Sequence, residues 1–314
     1  MLTRPISFAS VALLALLTAC AGGDASPEGG EEADLSNGAV AGDDAFPSTL
    51  LFNGACTGAH VGEKLILTAA HCVRDARGAV QPGLMPGNKL SVAVRGKRPS
   101  VRQLEIAKTT IHPRTVALCA AQGCGTLASS ERRDAPDVAV IEVTGGLGDI
   151  AVAEVDVAPL KVGDAVTILG YGCTDRVNVA NADGKLRFRN TRAVDVTATV
   201  HAGGLAATET TALETVRSSY AITPGPRQAT SEPVPNAGLC PGDSGGPLFR
   251  AGTNRVVGVN ASYTFLPSER LPVTNWHARV DGDARWGVAA WLKALGANMR
   301  GTCTASTCRA PRGS

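Results

Sequence analysis

Aromatic side chains are scarce in this 314-residue chain: three Trp, three Tyr and six Phe make up 4% of it. Its core must therefore be packed from Val, Ala, Leu and Ile. An excess of charge is missing too, since 30 Lys and Arg stand against 28 Asp and Glu, for a formal net charge of +2. No basic patch interleaved with aromatics runs through the sequence, which excludes a nucleic-acid partner. The five histidines and nine cysteines show no metal-ligand spacing, so neither a metal nor a cofactor is expected. The apolar run Ser7 to Leu17 has only eleven residues, too short for a bilayer-spanning helix of about 20. Between Arg4 and Lys64 there is no Lys or Arg at all, so an endopeptidase that cuts after basic residues finds no site there. What remains is 44% apolar, enough for a soluble globular protein with a substantial core.

The short apolar run has a role of its own. Arg4 gives a positive start, and Leu17-Thr18-Ala19-Cys20 closes the run with a motif that resembles the bacterial lipobox. That resemblance implies a signal peptide over 1–19 and acylation of Cys20, with several acyl chains that anchor the protein stably to a membrane. An ordinary signal peptide with an incidental cysteine is the other reading. Residues 20–38 form a tether or propeptide, because Ala21 to Ser36 is rich in Gly, Ser, Pro, Asp and Glu and cannot bury enough apolar surface to order itself. Ala21 after the cysteine resembles outer-membrane sorting, so the expected location is the bacterial cell envelope, with the protein exported.

The chemistry is concentrated in Gly238-Leu239-Cys240-Pro241-Gly242-Asp243-Ser244-Gly245-Gly246-Pro247-Leu248. A serine hydroxyl is a poor nucleophile unless a base takes its proton and donors receive the oxyanion it creates. A glycine-rich turn around Ser244 can bring backbone N–H groups, here those of Gly242 and Ser244, close to a substrate carbonyl. A base and a carboxylate are then required. His71 stands in Leu67-Thr68-Ala69-Ala70-His71-Cys72, and Asp137 begins the apolar run Asp137-Val138-Ala139-Val140-Ile141, with Asp134 as a nearby competitor. His60, His112, His201 and His277 lack comparable surroundings and read as structural.

His71, Asp137 and Ser244 follow one another in the order His, Asp, Ser. In order and flanking motifs the chain resembles the trypsin/chymotrypsin family of serine endopeptidases over about residues 39–300. The resemblance implies an all-β fold of two antiparallel six-stranded β-barrels, about 39–150 and 151–300, with a C-terminal helix and a Cys-containing tail over 301–314. Runs rich in β-branched or alternating apolar residues at 64–69, 138–143, 165–170, 193–200 and 256–260 agree as strands. A helical period over 284–295 suits the terminal helix, with Trp286 and Trp291 as core anchors. Ser244 would attack, His71 would carry its proton and Asp137 would orient the imidazole, giving hydrolysis of proteins or peptides through an acyl-enzyme.

Four further expectations concern disulfides. With Cys20 lipidated, eight cysteines remain, an even number in an exported protein. The resemblance implies Cys56–Cys72, worth roughly 3 kcal/mol for a loop of about 15 residues. Cys119–Cys124 and Cys303–Cys308 are suggested by their closeness in sequence, and elimination leaves Cys173–Cys240. The family instead pairs the cysteine before the serine turn with one further downstream, and none occurs here before Cys303.

Family members are commonly zymogens in which a freed α-amino group pairs with the aspartate before the serine. That implies a pair of Ala39 (or Val40) and Asp243. The acidic residue that trypsin-like members hold six residues before the nucleophile is Gly238 here, which implies an uncharged P1 side chain. Asn275 and Tyr263 (or Thr264) would line that pocket, and Ala261 or Ser262 would take the place of the serine that supports the triad aspartate. A monomer is expected. A catalytically silent homologue that uses the double barrel for binding is the alternative. An esterase of the hydrolase type is excluded by the order of the three residues, although Gly242 to Gly246 fits its bare motif.

Overall fold

A computed structural model describes residues 35, 38–96, 99–124, 135–173, 183–195, 218–225, 237–265 and 272–301. All lie in the unit Glu32–Ser314. The expected signal peptide, Cys20 and most of the tether lie outside the described residues, as does the Cys303–Cys308 pair.

After a two-residue strand β1 (Ala39–Val40) come β2 (Thr49–Phe52), β3 (Cys56–Gly62), β4 (Leu65–Thr68), β5 (Lys89–Val94), β6 (Ser100–Ile111) and β7 (Ala139–Val143). These last six close an antiparallel barrel in the order β2-β3-β4-β7-β6-β5. In β5 the alternation Leu90, Val92, Val94 buries one face while Lys89 stays exposed, the two-residue period of a strand with one face on a core. Strand β4 (Leu-Ile-Leu-Thr) is buried throughout, held between β3 and β7.

The second half contributes β8 (Glu154–Asp156), β9 (Ala165–Gly170), β10 (Arg187–Arg192), β11 (Tyr220–Pro224), β12 (Pro247–Arg250), β13 (Arg255–Phe265), β14 (Pro272–Arg279) and β15 (Met299–Arg300). Six of them run β10-β9-β12-β13-β14-β11, β1 extends the edge beyond β10, and β8 pairs with β13 and β15. Among the described residues this sheet is not a closed six-stranded barrel. Its two edges meet through a single bridge, Val194 to Ile222, because β10 ends at Arg192 and pairs along its length only with β9 and β1. Of the strand expected over 193–200, that bridge is the part within the described residues.

Among the described residues two α-helices complete the architecture. The unexpected one, α1 (Pro113–Gln122), has Pro at its first turn, a cap from His112 Nδ1 to the Arg114 N–H at 3.3 Å, and Gly123 at φ 74° to end it. These are ordinary start and stop signals. The expected terminal helix is shorter than its periodicity suggests, because Trp286 sits at φ 68° and α2 begins only at Val288, running to Ala294. Of the two expected core anchors, Trp291 is partly buried and packs against the main core, whereas Trp286 does not. Trp286 lies half-buried under the guanidiniums of Arg114 and Arg285, at 4.2 and 4.6 Å, and Trp291 meets the His112 ring edge-on at 5.0 Å. The fully buried tryptophan is Trp276 of β14.

Candidate active site

Strands β4 and β7 are antiparallel neighbours with Thr68 opposite Ala139. His71 lies just past the end of one and Asp137 just before the start of the other, so pairing alone brings them together. The imidazole Nδ1–H donates to Asp137 Oδ2 at 2.6 Å, and the His71 backbone N–H donates to Oδ1 at 2.9 Å. The acceptor fixes the tautomer that leaves Nε2 free to take a proton. Burial pulls the imidazole down, but the charge and hydrogen bond of Asp137 outweigh it and hold His71 above 6.5. Burial likewise pushes Asp137 up, and His71 and Arg74 bring it below the usual carboxylate value. The competitor Asp134 lies outside the described residues.

The turn that carries Ser244 hangs from the second sheet but is fastened to the first barrel. Thr57 of β3 does most of this: its N–H donates to the Ser244 carbonyl at 2.8 Å and its hydroxyl donates to the Gly242 carbonyl at 2.7 Å. The same hydroxyl accepts the Tyr171 N–H at 3.1 Å. Gly242 has φ 103° and Gly245 φ 82°, and a Cβ on Gly245 would collide with Thr68 Oγ1 and the Thr57 carbonyl. Only glycine allows that approach. The Ser244 carbonyl also lies 3.6 Å from Cys72 Sγ, beside His71. Among the described residues, no hydrogen bond joins Ser244 Oγ to His71, a contact that commonly tightens only once substrate binds. The N–H groups of Gly242 and Ser244 have no acceptor among the described residues either, so both are free to meet an anion.

Asp243 is fully buried. It accepts the Gly172 N–H at 2.8 Å and the Cys240 N–H at 2.9 Å. Glycines make room for it, since a Cβ on Gly172 would stand 2.6 Å from its Cγ. Burial pushes its carboxyl up to about 7, against the two N–H bonds and the charge of Arg187. Arg187, itself buried, forks onto Asp183 at 2.7 and 2.9 Å. Ala39 in the uncut chain is an exposed residue of β1, paired with Phe188, and among the described residues has no bond to this carboxyl.

Asn275 is fully buried and spends its amide on the backbone around Gly238. Its Oδ1 accepts the Leu239 N–H at 2.8 Å, and its Nδ2 donates to the Ala237 carbonyl at 2.8 Å. It therefore holds the backbone on both sides of Gly238. Tyr263, half-buried, packs against Cys173 and Cys240. Asn260 ties the serine turn to β9, donating to the Leu169 carbonyl at 2.7 Å and the Asp243 carbonyl at 3.0 Å. Its Oδ1 meets His277 Nδ1 at 2.9 Å. Ala261 occupies the bulge between β13 and β14 and Ser262 is exposed, and neither donates a side-chain bond to Asp137. Among the described residues there are three disulfides, Cys56–Cys72, Cys119–Cys124 and Cys173–Cys240, with Cα separations of 6.2, 4.5 and 5.9 Å. They suit an extracellular or exported protein.

Thr57 and Asn260 carry no signal in the sequence. One reads as a strand threonine after a cysteine, the other as a polar residue within an apolar strand.

A family model described as Trypsin matches residues 36–270. No curated protein matches the chain. Among solved structures, one titled neuropsin, a serine protease expressed in the limbic system of mouse brain, is 19% identical. The alignment covers 82% of this chain and 98% of that one, with a TM-score of 0.53. At that identity the likeness speaks for the fold alone. The family match spans most of the chain and includes all three residues His71, Asp137 and Ser244, and the chain belongs to the trypsin family of serine peptidases.

Proposed function

We propose that this peptidase is an endopeptidase that works through His71, Asp137 and Ser244. The observation that carries the reading is the bond from His71 Nδ1–H to Asp137 Oδ2 at 2.6 Å, beside a serine turn fastened to the same barrel through Thr57. In this reading Ser244 Oγ attacks the scissile carbonyl as Nε2 of His71 takes its proton. The N–H groups of Gly242 and Ser244 receive the oxyanion, and His71 returns the proton to the leaving amine. The acyl-enzyme is then hydrolysed by the same groups in reverse.

An uncharged P1 residue fits Gly238, because a Lys or Arg side chain would be buried there with no carboxylate to pair it, at a cost of several kcal/mol. A lipid anchor at Cys20, a tether over 20–38 and residence in the bacterial envelope belong to the same proposal. They are supported by the lipobox-like sequence and by the disulfides.

A fluorophosphonate probe tests the chemistry. Labelling of the processed protein that vanishes in Ser244→Ala and His71→Ala is the expected result. A processed, folded protein that never labels would make the chain a binding module. Rapid cleavage after Arg in a peptide-library profile would overturn the P1 assignment alone.

A further inference from the structure

Four polar side chains form a row inside the second sheet: Asn260 of β13, Asn275 and His277 of β14, and Thr223 of β11, all fully buried. Pairing register brings them together. Asn260 lies opposite His277, and Thr223 lies opposite Asn275. Asn275 and His277, two residues apart on one strand, share a face. Buried polar groups of this kind are tolerated only when they satisfy one another.

The donors in the row all point one way. Asn260 Nδ2 faces the carbonyls of Leu169 at 2.7 Å and Asp243 at 3.0 Å, so the Oδ1 of the same amide can only accept. His277 Nδ1, 2.9 Å from that Oδ1, therefore carries the ring proton. Burial pushes the imidazole down to about 3, so at neutral pH its Nε2 is bare. The Thr223 hydroxyl then donates to Nε2 at 3.0 Å and accepts from Asn275 Nδ2 at 3.3 Å. Asn275 in turn holds the backbone at Ala237 and Leu239. A directed chain of hydrogen bonds thus runs from the segment around Gly238 to the Asp243 carbonyl.

That carbonyl belongs to the same planar peptide unit as the Ser244 N–H. A peptide whose oxygen accepts a hydrogen bond is polarised, and its N–H becomes a stronger donor. Within the turn the oxygen also accepts the Gly246 N–H at 3.0 Å, and Asn260 is what ties it to the sheet. The backbone of Asn260 grips the same turn, since its carbonyl accepts the Gly245 N–H at 2.9 Å and its N–H donates to the Gly246 carbonyl at 2.8 Å.

We propose that Asn260, His277 and Thr223 are positioning residues that aim the Ser244 N–H at the oxyanion and couple that aim to the segment around Gly238, where the P1 side chain is received. They act through the Asp243–Ser244 peptide. This rests on the reading of the Ser244 N–H as an oxyanion donor.

Thr223→Val and Asn260→Leu keep the size of the side chain and cut the row at two places. Each should lower kcat on a peptide ester about tenfold with KM nearly unchanged, because a donor loosened but present costs less than the roughly 10²–10³ of a lost one. Thr223→Ser keeps the hydroxyl and should restore the rate. Two breaks in one row count once, so the double variant should also be about tenfold slow, whereas independent sites would multiply to about 100-fold. Independently of catalysis, nitrogen NMR of the parent should show His277 protonated on Nδ1 and bare on Nε2, a readout that survives a variant failing to fold. The Ser244 amide resonance should move in Thr223→Val and return in Thr223→Ser. The opposite tautomer, an unmoved Ser244 resonance, a Thr223→Val kcat within about twofold of the parent, or losses that multiply in the double variant overturn the proposal. A Ser244 resonance that moves as stated, in a parent that never labels with a fluorophosphonate, upholds the row and sinks the peptidase mechanism instead.

Discussion

Thr57→Val is the substitution most informative about how the two halves make one site. Valine keeps the shape of threonine and removes the hydroxyl, which is fully buried and joins the Gly242 carbonyl at 2.7 Å to the Tyr171 N–H at 3.1 Å. Each of those backbone groups loses its partner, at about 1–3 kcal/mol apiece, so stability should fall by about 2–6 kcal/mol and the melting temperature by roughly 4–18 °C. Gly242 is also the proposed oxyanion donor. Complete loss of such a donor costs about 10²–10³ in turnover, and a donor that is loosened but present should cost roughly 10–100-fold, in kcat more than in KM. Thr57→Ser keeps both hydrogen bonds and gives up one methyl, about 1 kcal/mol, so it should stay near the parent in rate. Steady-state kinetics on a peptide ester, with thermal denaturation alongside, measures both. A Thr57→Val enzyme within twofold of the parent kcat, or a Thr57→Ser enzyme as slow as Thr57→Val, would refute the idea that this hydroxyl positions the turn.

Because Asp137 holds the His71 imidazole above 6.5, and the base must be neutral to accept a proton, kcat/KM should rise with pH through a midpoint above 6.5. Asp137→Asn should lower that midpoint and cut kcat by about 10⁴, as expected when the tautomer is lost; an unchanged pH profile would count against the pair. Asp243 gives the opposite lever on stability. Its folded-state value of about 7 lies above the ordinary 3.8, so the folded chain binds the proton more tightly. The intact protein should lose stability as pH climbs from about 4 past 7, by up to about 4 kcal/mol. Urea denaturation of intact Asp243→Asn should show that slope flattened, and the same slope in both proteins would show that another group titrates.

Much of this molecule was legible in its residues. The strands at 64–69, 138–143 and 165–170 match β4, β7 and β9 closely, because an apolar run between two neighbours needs no long-range information to be recognised. The three residues assigned to catalysis are marked by local motifs, and glycines at 242 and 245 announce a turn that no other residue could form. The lost readings have physical causes as well. Helix α1 was missed although Pro113 and Gly123 punctuate it, since its apolar face is small, with Leu118 buried in a two-residue cluster with Ala135 apart from the main core. The terminal helix was overextended because periodicity is blind to one residue at φ 68°.

Sequence by itself determined the family and pointed to His71, Asp137 and Ser244 as the candidate base, carboxylate and nucleophile, since each depends on residue type in a short local context. Tertiary structure alone decided which distant groups share a hydrogen bond. It fastened the serine turn to the first barrel through Thr57, spent the amide of Asn275 on the backbone beside Gly238, and buried Leu35 against Ala237 and Leu239 while leaving Ala39 in an exposed strand. Pairing register and burial are properties of the whole folded chain, and no window of neighbouring residues contains them.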